Sequence, residues 1–191
     1  MRKFKVSIIG YGYWGPKLAR NFQNSNFFNL TSIIDVSKKN LIKAKRDFPL
    51  ANVGSDYKQS LNKLNISLIV ISTPTKTHFQ IAKYALEKKI NVLVEKPLSL
   101  SIKEVKILES LAKKNKVLLF VDYPFLFSGS VKFIRKLIDN KKFGNLIERE
   151  IGFSTSTFIF FSSAYFAILK WVLVGVDITI NETFNLFKDC L

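Results

Sequence analysis

The sequence has 191 residues, 48% of them hydrophobic, which suits a globular chain with one domain and room for the start of a second. Its net charge is +16, but 25 of the 30 basic residues are lysines spread over several amphipathic segments, so we expect solvated faces and no nucleic-acid partner. The single cysteine excludes a disulfide framework and a cysteine zinc site, so we expect no metal and a cytoplasmic location.

Residues 1–122 alternate short apolar runs with amphipathic segments, a pattern typical of βαβ units. Strands are predicted at 5–9, 30–35, 67–72, 91–95 and 117–122. Helices are predicted at 16–23, 37–48, 77–89 and 101–116. Ser37 and Thr77 occupy N-cap positions, and Pro16 suits a first helical turn. The sequence therefore predicts an α/β fold, a Rossmann-type doubly wound parallel sheet.

The alternation of apolar runs and amphipathic segments ends after residue 122. Residues 123–153 predict one more helix, in 130–144, and a strand, in 145–153, as the beginning of an incomplete α+β second domain. Residues 154–191 form an apolar tail without clear periodicity; the last 41 residues hold seven of the 18 phenylalanines and only two basic side chains. Lys170 interrupts the most apolar stretch, 157–176, so we expect no membrane anchor, with a membrane-tethered form as an alternative.

The strongest motif follows the first predicted strand. Gly10, Gly12 and Gly15 form G-x-G-x-x-G between a strand and a helix, the context that the dinucleotide fingerprint requires. Gly10 would permit a tight turn, Gly12 the approach of the pyrophosphate, and Gly15 close helix–strand packing. The helix start would face the phosphates.

Asp35 ends the second predicted strand, 25 positions after Gly10. A carboxylate there would accept hydrogen bonds from the adenosine ribose and repel a 2′-phosphate, which favours NAD over NADP. Lys38 and Lys39 leave NADP open, because nearby cations tolerate an extra phosphate. A turn-forming aspartate that binds nothing is the other interpretation.

Two further segments leave strand ends on the same predicted edge. Ser72, Thr73 and Pro74 follow one strand, and His78, the one histidine of the chain, begins the next helix. By chemistry alone, a histidine at a helix start is more often a capping or packing residue than a catalytic base.

The other segment contains Glu95, Lys96 and Pro97. A lysine beside a nicotinamide could handle the proton of a substrate hydroxyl while hydride leaves the carbon, and Pro97 could fix its geometry, particularly after a cis bond. A snorkelling surface lysine is the alternative.

Together, the stretches "GYGYWGPKLARNF", "STPTKTHFQIAKYALEKKINVLVEKPLS" and "VLLFVDYPFLFSGSVKFIRKLID" resemble the Gfo/Idh/MocA family of NAD(P)-dependent sugar and cyclitol dehydrogenases. The resemblance covers residues 1 to about 150. It implies that Lys96 is catalytic. The implied cofactor-binding residues are Gly10, Gly12, Tyr13, Trp14, Gly15, Asp35, Ser72, Thr73, Pro74, His78, Glu95, Lys96 and Pro97. The implied substrates are sugars, cyclitols or nucleotide-linked sugars, and family members are usually homo-oligomers.

The chain departs from the family after residue 150. Family enzymes have a second α/β domain with a histidine that assists the lysine, whereas no histidine follows residue 150 here. The loss of charge and periodicity is typical of an out-of-frame or truncated ending. We therefore expect little or no turnover from this chain, with a non-catalytic NAD-binding or interaction protein as the alternative.

Overall fold

The computed structural model describes residues 3–140. These residues belong to two compact units, the first ending at Tyr123 and the second beginning at Pro124. The strand predicted in 145–153 and the apolar tail lie outside the described residues, and the domain boundaries drawn from the sequence stay predictions.

The first unit contains a six-stranded parallel sheet with the order β3-β2-β1-β4-β5-β6. The strands are β1 (Phe4–Ile9), β2 (Phe28–Ile34), β3 (Asn52–Gly54), β4 (Leu68–Ile71), β5 (Asn91–Glu95) and β6 (Leu119–Asp122). The order reverses between β1 and β4, because the chain builds outward from β1 to β3 and then returns to the other side of β1. Open α/β sheets bind ligands at such a point, outside the carboxyl ends of the strands.

Five helices cover the two faces of this sheet. They are α1 (Gly15–Asn24), α2 (Lys38–Asp47), α3 (Tyr57–Lys63), α4 (His78–Glu87) and α5 (Ile102–Asn115). On one face Leu18 and Phe22 of α1 pack against strand residues such as Ile8, and on the other Leu86 of α4 and Leu108 of α5 share a separate cluster. The predicted doubly wound α/β sheet is thus confirmed.

Two elements were absent from the prediction. β3 has only three residues, and Val53 is its single large apolar one, so it shows no hydrophobic periodicity. It pairs with β2 at the edge of the sheet. α3 has seven residues, and Leu61 is its one buried side chain, too few for a helical pattern. Its start could have been found from Asp56, whose carboxylate accepts hydrogen bonds from the N–H groups of Lys58 and Gln59.

The predicted helix starts hold with one difference. Ser37 caps α2 by accepting from the Asn40 N–H at 3.4 Å, and Pro16 lies in the first turn of α1. Thr77 stands at the N-cap position of α4, but its hydroxyl donates to the Pro74 carbonyl at 2.8 Å instead of accepting from the helix. The 3₁₀ turn Thr75–Thr77 lies directly before α4, and the Thr77 hydroxyl contacts the Pro74 carbonyl at its start.

The described part of the second unit is short. It contains a 3₁₀ turn, Pro124–Phe127, and helix α6 (Gly129–Asp139), which the Ser128 hydroxyl caps by accepting from the Val131 N–H at 3.3 Å. Of the helices within residues 3–140, none has the length and apolar character needed to cross a membrane.

Candidate functional site: the carboxyl edge of the sheet

The glycine loop crosses the point where the strand order reverses. Gly10 has a φ of +97°, and a Cβ on it would lie 2.5 Å from the Ser72 carbonyl oxygen. A Cβ on Gly15 would collide with the Gly10 carbonyl oxygen. Both glycines are therefore required by the fold itself. Gly12 differs, since a Cβ there meets no atom within 4 Å.

The Asp35 carboxylate connects the glycine loop to the turn after β2. Its Oδ2 accepts from the Tyr11 N–H at 2.6 Å and from the Asn40 amide at 3.1 Å, while its Oδ1 accepts from the Ser37 N–H at 2.8 Å. Sequence reasoning did not find Tyr11 and Asn40 as its partners. A carboxylate has about four acceptor positions, so Oδ1 retains one for a further donor.

The segment after β4 adjoins the same loop. The Ser72 hydroxyl donates to the Gly10 carbonyl at 2.8 Å, which ties β4 to β1 at the edge. The Thr73 hydroxyl pairs with that of Thr77 at 2.7 Å, and Pro74 is exposed. Ser72 and Thr73 therefore lie beside the glycine loop.

Two exposed aromatic side chains stand at the start of α1. Tyr13 is 75% exposed and Trp14 46%, and their rings make a T-shaped contact with centroids 5.2 Å apart. The Lys17 ammonium lies 3.9 Å from the Tyr13 ring centroid and 4.2 Å from that of Trp14. These cation–π contacts hold a cation at the entrance to the glycine loop.

Lys96 follows β5 on the same edge and is exposed. The peptide bond between Lys96 and Pro97 is cis, as the sequence suggested. Glu95 is partly buried, and this burial raises the pKa of its carboxyl group, while a hydrogen bond from the Lys96 backbone and the Lys96 charge oppose the rise.

Asp122, which the sequence analysis did not select, ends β6 opposite Glu95 in the parallel register. It is 6% exposed, and its Oδ1 has no hydrogen-bond partner among the described residues. Burial and the neighbouring Glu95 carboxylate raise the pKa of Asp122 from 3.8 to about 6. The signal was present in the sequence, because β5 and β6 both end in an acid. Within residues 3–140 no group of three or more metal-ligating side chains occurs.

His78 is buried at the start of α4. Its ring nitrogens contact the backbone carbonyls of Thr73 and Pro97, so its polar atoms face the chain itself. It therefore joins the segment after β4 to the segment after β5. Together, the edge combines a glycine loop with an open approach, an acid at the end of β2, and an exposed lysine.

Comparison with known proteins agrees with this geometry. The family described as "Oxidoreductase family, NAD-binding Rossmann fold" (GFO_IDH_MocA) matches residues 4–123. The chain belongs to the Gfo/Idh/MocA family. The matched residues are those of the first unit, so this family's fold and the observed sheet coincide.

Individual Gfo/Idh/MocA relatives include oxidoreductases and inositol dehydrogenases. The chain is 37% identical over 109 residues to the uncharacterized oxidoreductase YdgJ of Escherichia coli, covering 57% of this chain and 31% of that protein. It is 25% identical over 140 residues to myo-inositol 2-dehydrogenase of Thermotoga maritima, covering 73% of this chain and 42% of that protein.

The solved structure of myo-inositol 2-dehydrogenase from Lactobacillus plantarum superposes with a TM-score of 0.72 at 26% identity, covering 76% of this chain and 44% of that one. The chain thus spans less than half the length of these relatives.

Proposed function

We propose that residues 3–123 bind NAD and form the dinucleotide-binding part of an oxidoreductase that acts on a ring hydroxyl of a sugar, cyclitol or nucleotide-linked sugar. The observation that carries the proposal is the meeting of the glycine loop, Asp35 and Lys96 at one sheet edge, on the two sides of the point where the strand order reverses. The family's NAD-binding description and the inositol dehydrogenases among its relatives support it.

The glycine loop fits a dinucleotide. Gly12 is the one fingerprint glycine whose side-chain position is open, so packing within the first unit does not explain it, whereas the approach of a pyrophosphate does. α1 begins at Gly15 and directs its N-terminus toward the same edge, which favours an anion. The remaining acceptor position on Asp35 suits a ribose hydroxyl, and its charge would repel a 2′-phosphate.

Lys96 would handle the substrate proton. NAD, when bound, accepts or supplies hydride at nicotinamide C4. In the oxidation direction a neutral Lys96 amine would take the hydroxyl proton as the C–H bond breaks, and in reduction the ammonium would return it. Glu95, Ser72 and Thr73 would shape the surroundings of this reaction, while Tyr13, Trp14 and Pro74 would cover the cofactor.

We propose further that this chain alone turns over little substrate. Its one histidine is His78, whose ring is buried against two carbonyl groups, so no imidazole is available to assist Lys96. A non-catalytic NAD-binding protein is the second candidate, and the same observation favours it.

Cofactor titration tests the binding proposal. Full-length chain titrated with NADH and NADPH, followed by cofactor fluorescence, should bind NADH more tightly by about tenfold or more, because Asp35 and a 2′-phosphate repel each other. Equal affinities would contradict the NAD preference, and absence of binding to both would overturn the proposal. Wild-type chain is preferable to an Asp35 variant here, because Asp35 also holds the glycine loop.

Turnover with inositols and hexoses, followed by the near-ultraviolet absorbance of NADH, separates the two candidates. We expect a rate below about 1 s⁻¹, the lower end for ordinary enzymes. Lys96→Ala and Lys96→Arg should both lower that residual rate by about 100-fold or more, since arginine keeps the charge but cannot release its proton.

Lys106→Ala, on the exposed face of α5, is the matched lysine control and should leave the rate unchanged. NADH binding without any Lys96-dependent turnover would favour the non-catalytic candidate. An ordinary dehydrogenase rate would contradict the proposed impairment.

A further inference from the structure

One buried side chain joins the two segments on either side of the candidate site. Nδ1 of His78 lies 2.9 Å from the carbonyl oxygen of Pro97, and Nε2 lies 2.8 Å from the carbonyl oxygen of Thr73. The side chain is 1% exposed, so water has little access to either contact. Both distances are those of full hydrogen bonds.

The two partners of this ring are of the same kind. Both are backbone carbonyl oxygens, one in the segment after β4 and the other in the segment after β5. Because the ring is buried, losing it would leave both carbonyl oxygens without this partner.

We infer that His78 is the positioning residue of the Lys96 segment, because its ring contacts the Thr73 and Pro97 carbonyls at the same time. The positioning role rests on the function proposed for Lys96.

The consequence concerns the geometry of Lys96. Thr73 follows β4, whereas Lys96 and Pro97 follow β5, and Ser72 is tied to the glycine loop. The His78 ring therefore extends the connection from the glycine loop to the lysine segment. Without it, the segment from Glu95 to Ser101 would lose an anchor that lies 19 positions away in the chain.

Hydrogen exchange of the full chain tests the positioning role without any turnover. His78→Phe removes both ring nitrogens and should speed exchange in peptides covering 95–101 roughly fivefold or more, the factor that corresponds to losing one hydrogen bond. His78→Gln retains polar atoms that can reach a carbonyl and should give a smaller increase, and it serves if the phenylalanine variant does not fold. Exchange that is unchanged in the folded variants would overturn the positioning role, whatever the NADH titration shows.

Discussion

The two sides of the carboxyl edge differ in how their polar groups are held. Beside β1 and β2, the Asp35 carboxylate accepts three hydrogen bonds and the Ser72 hydroxyl binds the Gly10 carbonyl. Beside β5 and β6, Asp122 is buried next to Glu95 with an unpartnered oxygen among the described residues, and Lys96 is exposed.

In the proposed function, this difference would separate binding from chemistry. The side with the glycine loop is held by hydrogen bonds within the chain, so a cofactor that binds there would gain affinity from preorganisation. The other side keeps carboxyl groups with raised pKa values next to a lysine, as is typical of sites that move protons. Substitutions made on one side at a time test whether the two sides differ in this way.

The largest effect is expected on the preorganised side, at Gly10. Gly10→Ala would force a side chain into a φ of +97° and place its Cβ 2.5 Å from the Ser72 carbonyl oxygen. Strain and overpacking together should lower the free energy of unfolding by about 3 to 5 kcal/mol, measured by urea denaturation.

Gly12→Ala is the matched control for Gly10→Ala. A methyl group there meets no protein atom within 4 Å, so stability should change by less than about 0.5 kcal/mol while NADH affinity falls roughly tenfold. Equal losses of stability in both variants would contradict the distinction between a fold glycine and a ligand glycine.

Asp122→Asn should stabilise the protein at neutral pH. Burial and the Glu95 carboxylate raise the pKa of Asp122 from 3.8 to about 6, so the folded state holds its proton more tightly. Stability therefore falls as the pH rises from about 4 to 6, and the penalty of about 3 kcal/mol persists above that window. Asparagine carries no charge, so the variant should gain this amount at pH 7 and nothing below pH 4.

Urea denaturation across this pH range measures the Asp122→Asn effect. Glu109→Gln, which breaks an exposed pair with Lys113, should change stability by less than about 0.5 kcal/mol at every pH. A pH-independent effect of Asp122→Asn would show that burial does not raise the pKa of this carboxyl group.

Among the substitutions expected to change stability, Ser72→Ala should have the smallest effect, after Gly10→Ala and Asp122→Asn. It removes the hydrogen bond that joins β4 to the Gly10 carbonyl, at a cost of about 1 kcal/mol in the free energy of unfolding. The Ser110 hydroxyl donates to the Lys106 carbonyl on the exposed face of α5. Ser110→Ala should therefore lower the free energy of unfolding by less than about 0.5 kcal/mol. Equal losses in the free energy of unfolding of the two variants would show that the hydrogen bond between Ser72 and Gly10 does not stabilise the β1 side of the edge more than an exposed hydrogen bond does.

The features that the sequence predicts well have local signals. β1, the glycine loop and the start of α1 form one continuous stretch, and β5 leads directly into Lys96 and its cis proline. Short apolar runs marked the predicted strands to within one or two positions of their observed ends. The Rossmann-type sheet follows from these signals alone.

The features that it does not predict depend on contacts between distant segments. β3 exists because β2 offers an unpaired edge, and the register of β5 with β6 is what brings Asp122 beside Glu95. The contact of His78 with Pro97 likewise spans 19 positions. The hydrophobic periodicity of a single segment does not predict such pairs, because each contact depends on a residue in another segment of the chain.

The aromatic start of α1 has a practical consequence. Trp14 is one of two tryptophans in the chain, it is half-exposed, and it stands on the glycine loop with Lys17 against its ring. It is therefore an intrinsic fluorophore placed where a dinucleotide would quench it or accept its excitation energy. Replacing Trp171 with phenylalanine would leave Trp14 as the sole tryptophan, and its selectively excited emission would then report the occupancy of the loop without a label.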